Sequence, residues 1–358
     1  MSPPGRPEGE HRSAGRGGSP VLAERVVAAW YAPRLTAVTA LLWPVSLLFG
    51  GIAAVRRALY RAGVLKAQHL PVPAVVVGNI TVGGSGKTPF VVALAEALRV
   101  RGWHPGLVSR GHGGSARGPR AVLAGDDPAV VGDEPLILAE SGLPVWIGHD
   151  RAAAARGLLA AHPACDVVVC DDGLQHYRLA RTVEIAVIDE ARGVGNGLLM
   201  PAGPLREPEW RLDTVDAVVR LVSGNVSHAR DGDGRATFTT QVPQSWRNVR
   251  DGKLVADPAA WRGSGVHAVA GIGHPQRFFA LLRAQGIAAV EHAFPDHHAF
   301  SARDLAFPDA SAILMTQKDA VKCARFADER FWYLPVRATV DPALVALVEK
   351  KIRGSQTA

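Results

Sequence analysis

The run Thr81-Val82-Gly83-Gly84-Ser85-Gly86-Lys87-Thr88 constrains this chain more than any other stretch. It follows an apolar strand, Ala74-Val75-Val76-Val77, and opens a helix whose apolar face carries Val91, Leu94, Ala95 and Leu98. A strand, a glycine-rich turn and a helix N-terminus together converge backbone N–H groups on one point, which suits a polyphosphate. In that setting Lys87 reaches the β and γ phosphates and the Thr88 hydroxyl ligates Mg²⁺. Thr81 stands where the usual phosphate-loop pattern has glycine, and Gly83 with Gly84 supplies the backbone freedom instead. An ordinary strand-to-helix turn is the alternative. The Gly-Lys-Thr triplet and its flanks favour the nucleotide.

Past the loop, short apolar strands alternate with amphipathic helices. Residues 106–109, 122–123, 145–148, 167–170, 185–189 and 215–222 read as strands, and 151–161 as a helix. The alternation predicts an α/β fold: a P-loop NTPase-type parallel sheet with helices on both faces, spanning 63–222. Residues 223–262 are Gly-, Asp- and Arg-rich and read as a connection, with hairpin strands suggested by the alternation over 236–242. From 263 to 358 a second, smaller α/β unit is expected, with strands at 266–270, 288–292, 312–315 and 332–336 and a helix at 275–285.

Residues 1–22 are rich in Pro, Gly, Ser and charge and are expected to be disordered. Residues 23–62 read as a membrane-associated helical segment. Within it, 35–55 carries no charge and is long enough to cross a bilayer. No small-residue cleavage site marks it as a signal peptide. Pro44, the Gly50-Gly51 pair and basic residues on both flanks (Arg34; Arg56, Arg57, Arg61) suit an embedded hairpin or an interfacial helix at least as well as a span. A core helix packed on the globular body is the third possibility. A formal charge of +7 favours an anionic partner; with 6% aromatic residues and no zinc spacing, phospholipid is preferred to nucleic acid. Cys165, Cys170 and Cys323 share no metal or redox spacing, which suits a reduced, cytosolic protein.

Asp171 and Asp172 end an apolar run, as a carboxylate aimed at a Mg²⁺ shell must; which of the two touches the ion stays open. Asp133, in Gly132-Asp133-Glu134-Pro135, reads most simply as a helix N-cap with Pro135 in the first turn. A cap is compatible with a catalytic base, because the carboxylate remains ionised. His297 and His298 follow a strand end, and a histidine there can orient or polarise a carboxylate. Thr316-Gln317-Lys318-Asp319 fits the loose pattern by which GTPases hold guanine, and so keeps a P-loop GTPase or metal-insertion ATPase, acting as a nucleotide switch, as the second reading. Arg110, Arg151, Arg206, Lys318 and Lys322 lie at predicted sheet ends, where they hold phosphates or form surface ion pairs.

These motifs, in this order, resemble the tetraacyldisaccharide 4'-kinases of lipid A biosynthesis across nearly all of residues 40–340. The resemblance rests on Pro71-Val72-Pro73, on 78–89 around the phosphate loop, and on Ser109-Arg110-Gly111 and Gly132-Asp133-Glu134-Pro135. It continues through Asp171-Asp172-Gly173-Leu174-Gln175-His176, Pro201-Ala202-Gly203-Pro204-Leu205-Arg206-Glu207, Phe294-Pro295-Asp296-His297 and Thr316-Gln317-Lys318-Asp319. It also accounts for Thr81. His112, where relatives often carry an aromatic, and the longer N-terminal extension depart from the pattern.

The resemblance implies transfer of the ATP γ-phosphoryl group, with Mg²⁺, to the 4'-hydroxyl of a tetraacylated glucosamine disaccharide 1-phosphate, giving lipid IVA. It implies work at the cytoplasmic face of a Gram-negative inner membrane. It also moves Asp133 from cap to catalytic base, acting with His297 and, on the phosphate side, Lys87. Closure of the two α/β units would then bring that pair together.

Overall fold

The computed structural model describes residues 20–84, 86–222, 236–263 and 265–356. Ser85 of the phosphate loop, residues 1–19 of the expected disordered extension and residues 223–235 of the expected connection lie outside them.

Two helices come first, α1 (Pro20–Trp30) and α2 (Ala37–Arg61). Thr36 and Thr39 start α2 with a reciprocal pair, each side chain accepting the other's backbone N–H, at 3.3 and 2.8 Å. One stripe of α2 faces the body. Thr39 and Ser46 are buried, and the Ser46 hydroxyl donates to Leu199 O at 2.8 Å while accepting the Ala202 N–H at 2.9 Å. Leu41, Val45, Leu48, Ile52 and Val55 recur on the opposite side and are each more than half exposed. A core helix would bury that stripe, so the core-helix possibility fails. The helix is long and apolar enough to cross a membrane.

The first body runs β1 (Ala74–Gly78), α3 (Lys87–Val100), β2 (Pro105–Ser109), β3 (Arg120–Ala121), α4 (Pro128–Val131) and α5 (Asp133–Ala139). It continues with β4 (Val145–Ile147), α6 (Arg151–Ala161), β5 (Val167–Asp171), β6 (Val183–Asp189), β7 (Ala217–Val222) and β8 (Ala236–Pro243). The second body holds β9 (Trp246–Asn248), β10 (Val255–Ala256), β11 (Val266–Ala270), α7 (Pro275–Ala284), β12 (Val290–Ala293), β13 (Ala312–Thr316), α8 (Gln317–Cys323) and β14 (Phe331–Leu334). The chain closes with β15 (Val336–Ala338) and α9 (Pro342–Gln356).

The first sheet has the order β15-β8-β7-β6-β1-β5-β2-β4-β3 and is parallel from β8 to β4. The valine runs of β1 and β5 are buried on both faces, as a doubly covered parallel sheet requires. Phe90, Leu94 and Leu98 of α3 pack on one face, and Ala154, Ala155 and Leu158 of α6 on the other. The second sheet, β10-β9-β14-β13-β11-β12, is parallel from β14 to β12.

Two boundaries differ from those the sequence predicts. The alternating stretch over 236–242 is not a hairpin in a connection: β8 pairs in parallel with β7 and extends the first sheet. Nor does the second unit run to 358. β15 pairs antiparallel with β8, and Leu344, Val345, Val348 and Ile352 of α9 join the core beneath α3. The reason is coverage: β8 would otherwise be an open edge, and α3 needs an apolar cover. The hairpin of the region is β9 with β10, at the edge of the second sheet. The second body is therefore an insertion between β8 and β15.

Candidate active site

The phosphate loop leaves β1 under tight control. Thr81 donates its N–H to Asn79 Oδ1 at 3.0 Å, and Val82 donates to Pro204 O at 2.8 Å, so these two residues anchor the loop's start. Gly86 begins α3 at φ +70°, and a Cβ there would lie 2.5 Å from both Gln241 Nε2 and Leu221 Cδ2. Only glycine fits that backbone and that space.

Two consecutive aspartates at the end of β5 face the loop and differ sharply. Asp171 Oδ2 accepts from the Thr88 hydroxyl at 3.1 Å, and its Oδ1 is buried with no hydrogen-bond partner. Burial, then the nearby Glu134 charge, pushes the Asp171 carboxyl up to about 7. Asp172 takes a left-handed conformation, φ 52°, which Asp tolerates better than most residues. Its carboxylate lies 3.4 Å from Lys87 Nζ and 3.0 Å from an Arg206 nitrogen, and Arg151 donates to its carbonyl at 3.2 Å. Burial opposes the charge, yet Lys87 and Arg206 hold Asp172 well below the usual carboxylate range. A hydroxyl and a buried carboxylate with an orphaned oxygen form the hard-oxygen set that Mg²⁺ prefers, so Thr88 and Asp171 fit that ion. Among the described residues no three His, Cys, Asp or Glu side chains gather as a protein-only metal cage.

Asp133 is the first residue of α5 and not its cap. Gly132 holds the cap position at φ +90°, where a Cβ would strike the His112 carbonyl. Asp133 Oδ1 accepts the Glu134 N–H at 2.9 Å, and Oδ2 accepts from His297 Nδ1 at 3.0 Å. His297 sits at φ 59°, a conformation that costs a β-carbon residue roughly 1–2 kcal/mol and that points to local over-determination. Lys318 Nζ lies 3.2 Å from His297 Nε2, 3.2 Å from Asp296, 3.5 Å from Glu134 and 3.9 Å from Asp133. Burial works against the Asp133 charge, but the His297 hydrogen bond and the Lys318 charge keep its pKa below the ordinary value. The same bond raises His297, with burial and Lys318 opposing. His112, the departure in the Ser-Arg-Gly segment, packs edge-on against the His297 ring at 5.2 Å. Gly273 marks where this cluster meets the phosphate loop: a Cβ there would lie 3.3 Å from Asp296 and 3.8 Å from Gly84 N.

Most of the remaining candidates have structural partners. Thr316 caps α8, and fully buried Asp319 accepts the Gly271 N–H at 3.0 Å and pairs with Lys322 at 2.8 Å. Asp319 is thus a core anchor and is closed to a guanine base. His298 lies 3.4 Å from Asp304 and packs tilted against Phe294 and edge-on against Phe300. Arg110 is exposed at the end of β2. Lys318 is the site residue whose partners the sequence did not reveal; its signals were the guanine-like motif and its place among basic residues at sheet ends.

A phosphate loop at the carboxyl ends of a parallel sheet, with a carboxylate pair facing it, defines a P-loop nucleotide-binding protein. The family model for tetraacyldisaccharide-1-P 4'-kinase matches residues 38–353. The chain belongs to that family. A protein of Azoarcus sp. (strain BH72) called tetraacyldisaccharide 4'-kinase is 56% identical over 301 residues, covering 84% of this chain and 88% of its own length. A namesake from Aromatoleum aromaticum is 50% identical over 341 residues, covering 94% and 100%. Among solved structures, LpxK from Aquifex aeolicus in complex with ATP aligns with a TM-score of 0.72 and 27% identity, over 88% of this chain and 99% of that one.

Proposed function

We propose that this kinase transfers the γ-phosphoryl group of ATP to the 4'-hydroxyl of a tetraacylated glucosamine disaccharide 1-phosphate, giving lipid IVA. The observation that carries the reading is the Asp133–His297 pair, set beside the phosphate loop where Gly273 lies between Asp296 and Gly84.

In this reading the loop residues Thr81, Val82, Gly83, Gly84, Ser85, Gly86, Lys87 and Thr88 cradle the phosphates, with Lys87 countering charge on the transferring group. Thr88 and Asp171 would hold Mg²⁺, which when bound would neutralise charge on phosphate oxygens. Asp172 keeps Lys87 in reach through their ion pair. Phosphoryl transfer passes through a loose transition state, so positioning matters most and the base takes its proton late. Asp133 orients the acceptor hydroxyl and accepts that proton, while His297 holds the carboxylate. The exposed apolar stripe of α2 and the net positive charge support work at the anionic cytoplasmic surface of the inner membrane, where a lipid acceptor would reside.

The test uses purified protein, labelled ATP, Mg²⁺ and detergent-dispersed disaccharide monophosphate. Labelled bisphosphorylated lipid is expected, and Lys87→Ala should lower kcat by orders of magnitude while the protein stays folded. No labelled lipid, with fast acceptor-independent hydrolysis, would favour the nucleotide-switch reading.

A further inference from the structure

Lys318 has no assigned role in phosphoryl transfer, yet among the described residues it is the one that reaches Asp133, Glu134, Asp296 and His297 alike. It stands in the first turn of α8, its side chain 16% exposed. Its helix is firmly anchored by the Thr316 cap and by buried Asp319 on the Gly271 N–H.

We propose that Lys318 is a positioning residue: by donating from Nζ to His297 Nε2 it fixes His297 as the neutral Nδ1–H tautomer, which grips Asp133 and does not carry the proton away. The inference rests on the reading of Asp133 and His297 as the catalytic pair. It follows from donor and acceptor inventory. An ammonium has three donors and no acceptor, so the 3.2 Å contact requires an unprotonated Nε2. An ionised carboxylate only accepts, so the 3.0 Å contact requires the proton on Nδ1. The two contacts together leave one tautomer.

The Asp133 hydrogen bond raises His297, so the neutral ring depends on burial and on the Lys318 charge that oppose it. Asp133 and Glu134 from α5 and Asp296 from the loop after β12 face Lys318 and keep it protonated. Lys322, further along α8, is paired with Asp319, and His112 from the loop after β2 covers the other side of His297. During transfer the acceptor O–H bond breaks as its oxygen bonds to the γ phosphorus, and ADP departs with the electron pair of the broken P–O bond. The proton settles on Asp133, which becomes a neutral acid. A proton on Nε2 would set two donors face to face across 3.2 Å, so His297 is blocked as the next carrier. Asp133 therefore returns its proton to solvent once the product leaves.

The experiment uses the full chain in detergent with ¹⁵N-labelled histidine, the His297 resonance being assigned by its loss in His297→Gln. At neutral pH the wild type should carry its ring proton on Nδ1, with Nε2 bare. Lys318→Met removes a positive neighbour, so the pKa of both Asp133 and His297 should rise. The acid limb of kcat/KM then moves to higher pH, imidazolium appears, and kcat falls roughly 10- to 100-fold, as when an outer orienting partner is lost. Lys318→Gln keeps a donor without the charge and should retain the tautomer while still moving the limb. An Nε2–H tautomer in the wild type, or unchanged tautomer, limb and turnover in Lys318→Met, would overturn the proposal. If the Met variant does not fold, the same readouts on the Gln variant decide. Full turnover in Asp133→Asn would overturn the catalytic-pair reading instead, and the wild-type tautomer would still judge the Lys318 contact.

Discussion

His297 Nδ1 and Asp133 Oδ2 stand 3.0 Å apart although one belongs to the inserted second body and the other to the first. The proposed acid–base pair forms only while the two bodies are in contact, which would tie water exclusion to assembly of the site.

Asp133→Asn separates chemistry from architecture. Gly132 starts α5 without any side-chain cap bond, so the helix does not depend on the carboxylate. Asn can still accept the Glu134 N–H but cannot take a proton. Turnover should fall by roughly 10²-fold or more with little change in melting temperature. Combined with His297→Ala, the loss should be far smaller than the product of the two single losses, because the residues act as a unit. A fully active Asp133→Asn enzyme would return this residue to a structural role.

Asp319→Ala should wreck stability without altering nucleotide choice. It strands buried Lys322 and the Gly271 N–H, a loss of about 3–5 kcal/mol. ATP should remain at least as good a donor as GTP in wild type and variant alike. Donor competition and denaturant midpoints check this; a switch toward ATP from a GTP-preferring parent would revive the guanine reading of Thr316 to Asp319.

Leu48→Glu with Ile52→Glu should release the protein from membranes, since each apolar side chain on the exposed stripe is worth about 1.5–3 kcal/mol when buried. Deleting residues 1–22 should matter less. Flotation with anionic vesicles measures both, and equal recovery of the double variant and the wild type would mean that another surface binds.

Asp172 should stabilise the fold only while ionised. Its folded pKa lies below the ordinary 3.8, so the contribution is complete above that value and is lost as pH falls toward the folded pKa. The stability gap between wild type and Asp172→Asn, read from denaturant midpoints, should be present at about pH 5, below the Asp171 titration that Asp172 itself influences, and shrink below about pH 4. A gap that is absent at neutral pH would show that the Lys87 and Arg206 pairs contribute nothing.

Local chemistry was legible in the sequence where it is carried by consecutive residues. The strand and helix flanking the loop of Lys87 and the aspartate pair at the end of β5 were predicted from apolar runs and glycine placement, and these elements form as expected. What depended on distant partners was not. Asp133 looked like a cap because nothing near it announces that Gly132 must occupy the tighter position. Lys318 looked like part of a base-reading motif because its neighbours on α5 are far away in the chain. Only Pro335 separates β14 from β15, so no pattern marks the point at which the backbone leaves one sheet for the other.

The return of β15 and α9 to the first body has a consequence for how this enzyme is made. On the ribosome the phosphate loop emerges early, but the edge strand beside β8 and the cover beneath α3 arrive only after the whole inserted body has been synthesised. A nascent chain stalled before Val336 should therefore leave the first body without that strand and that cover.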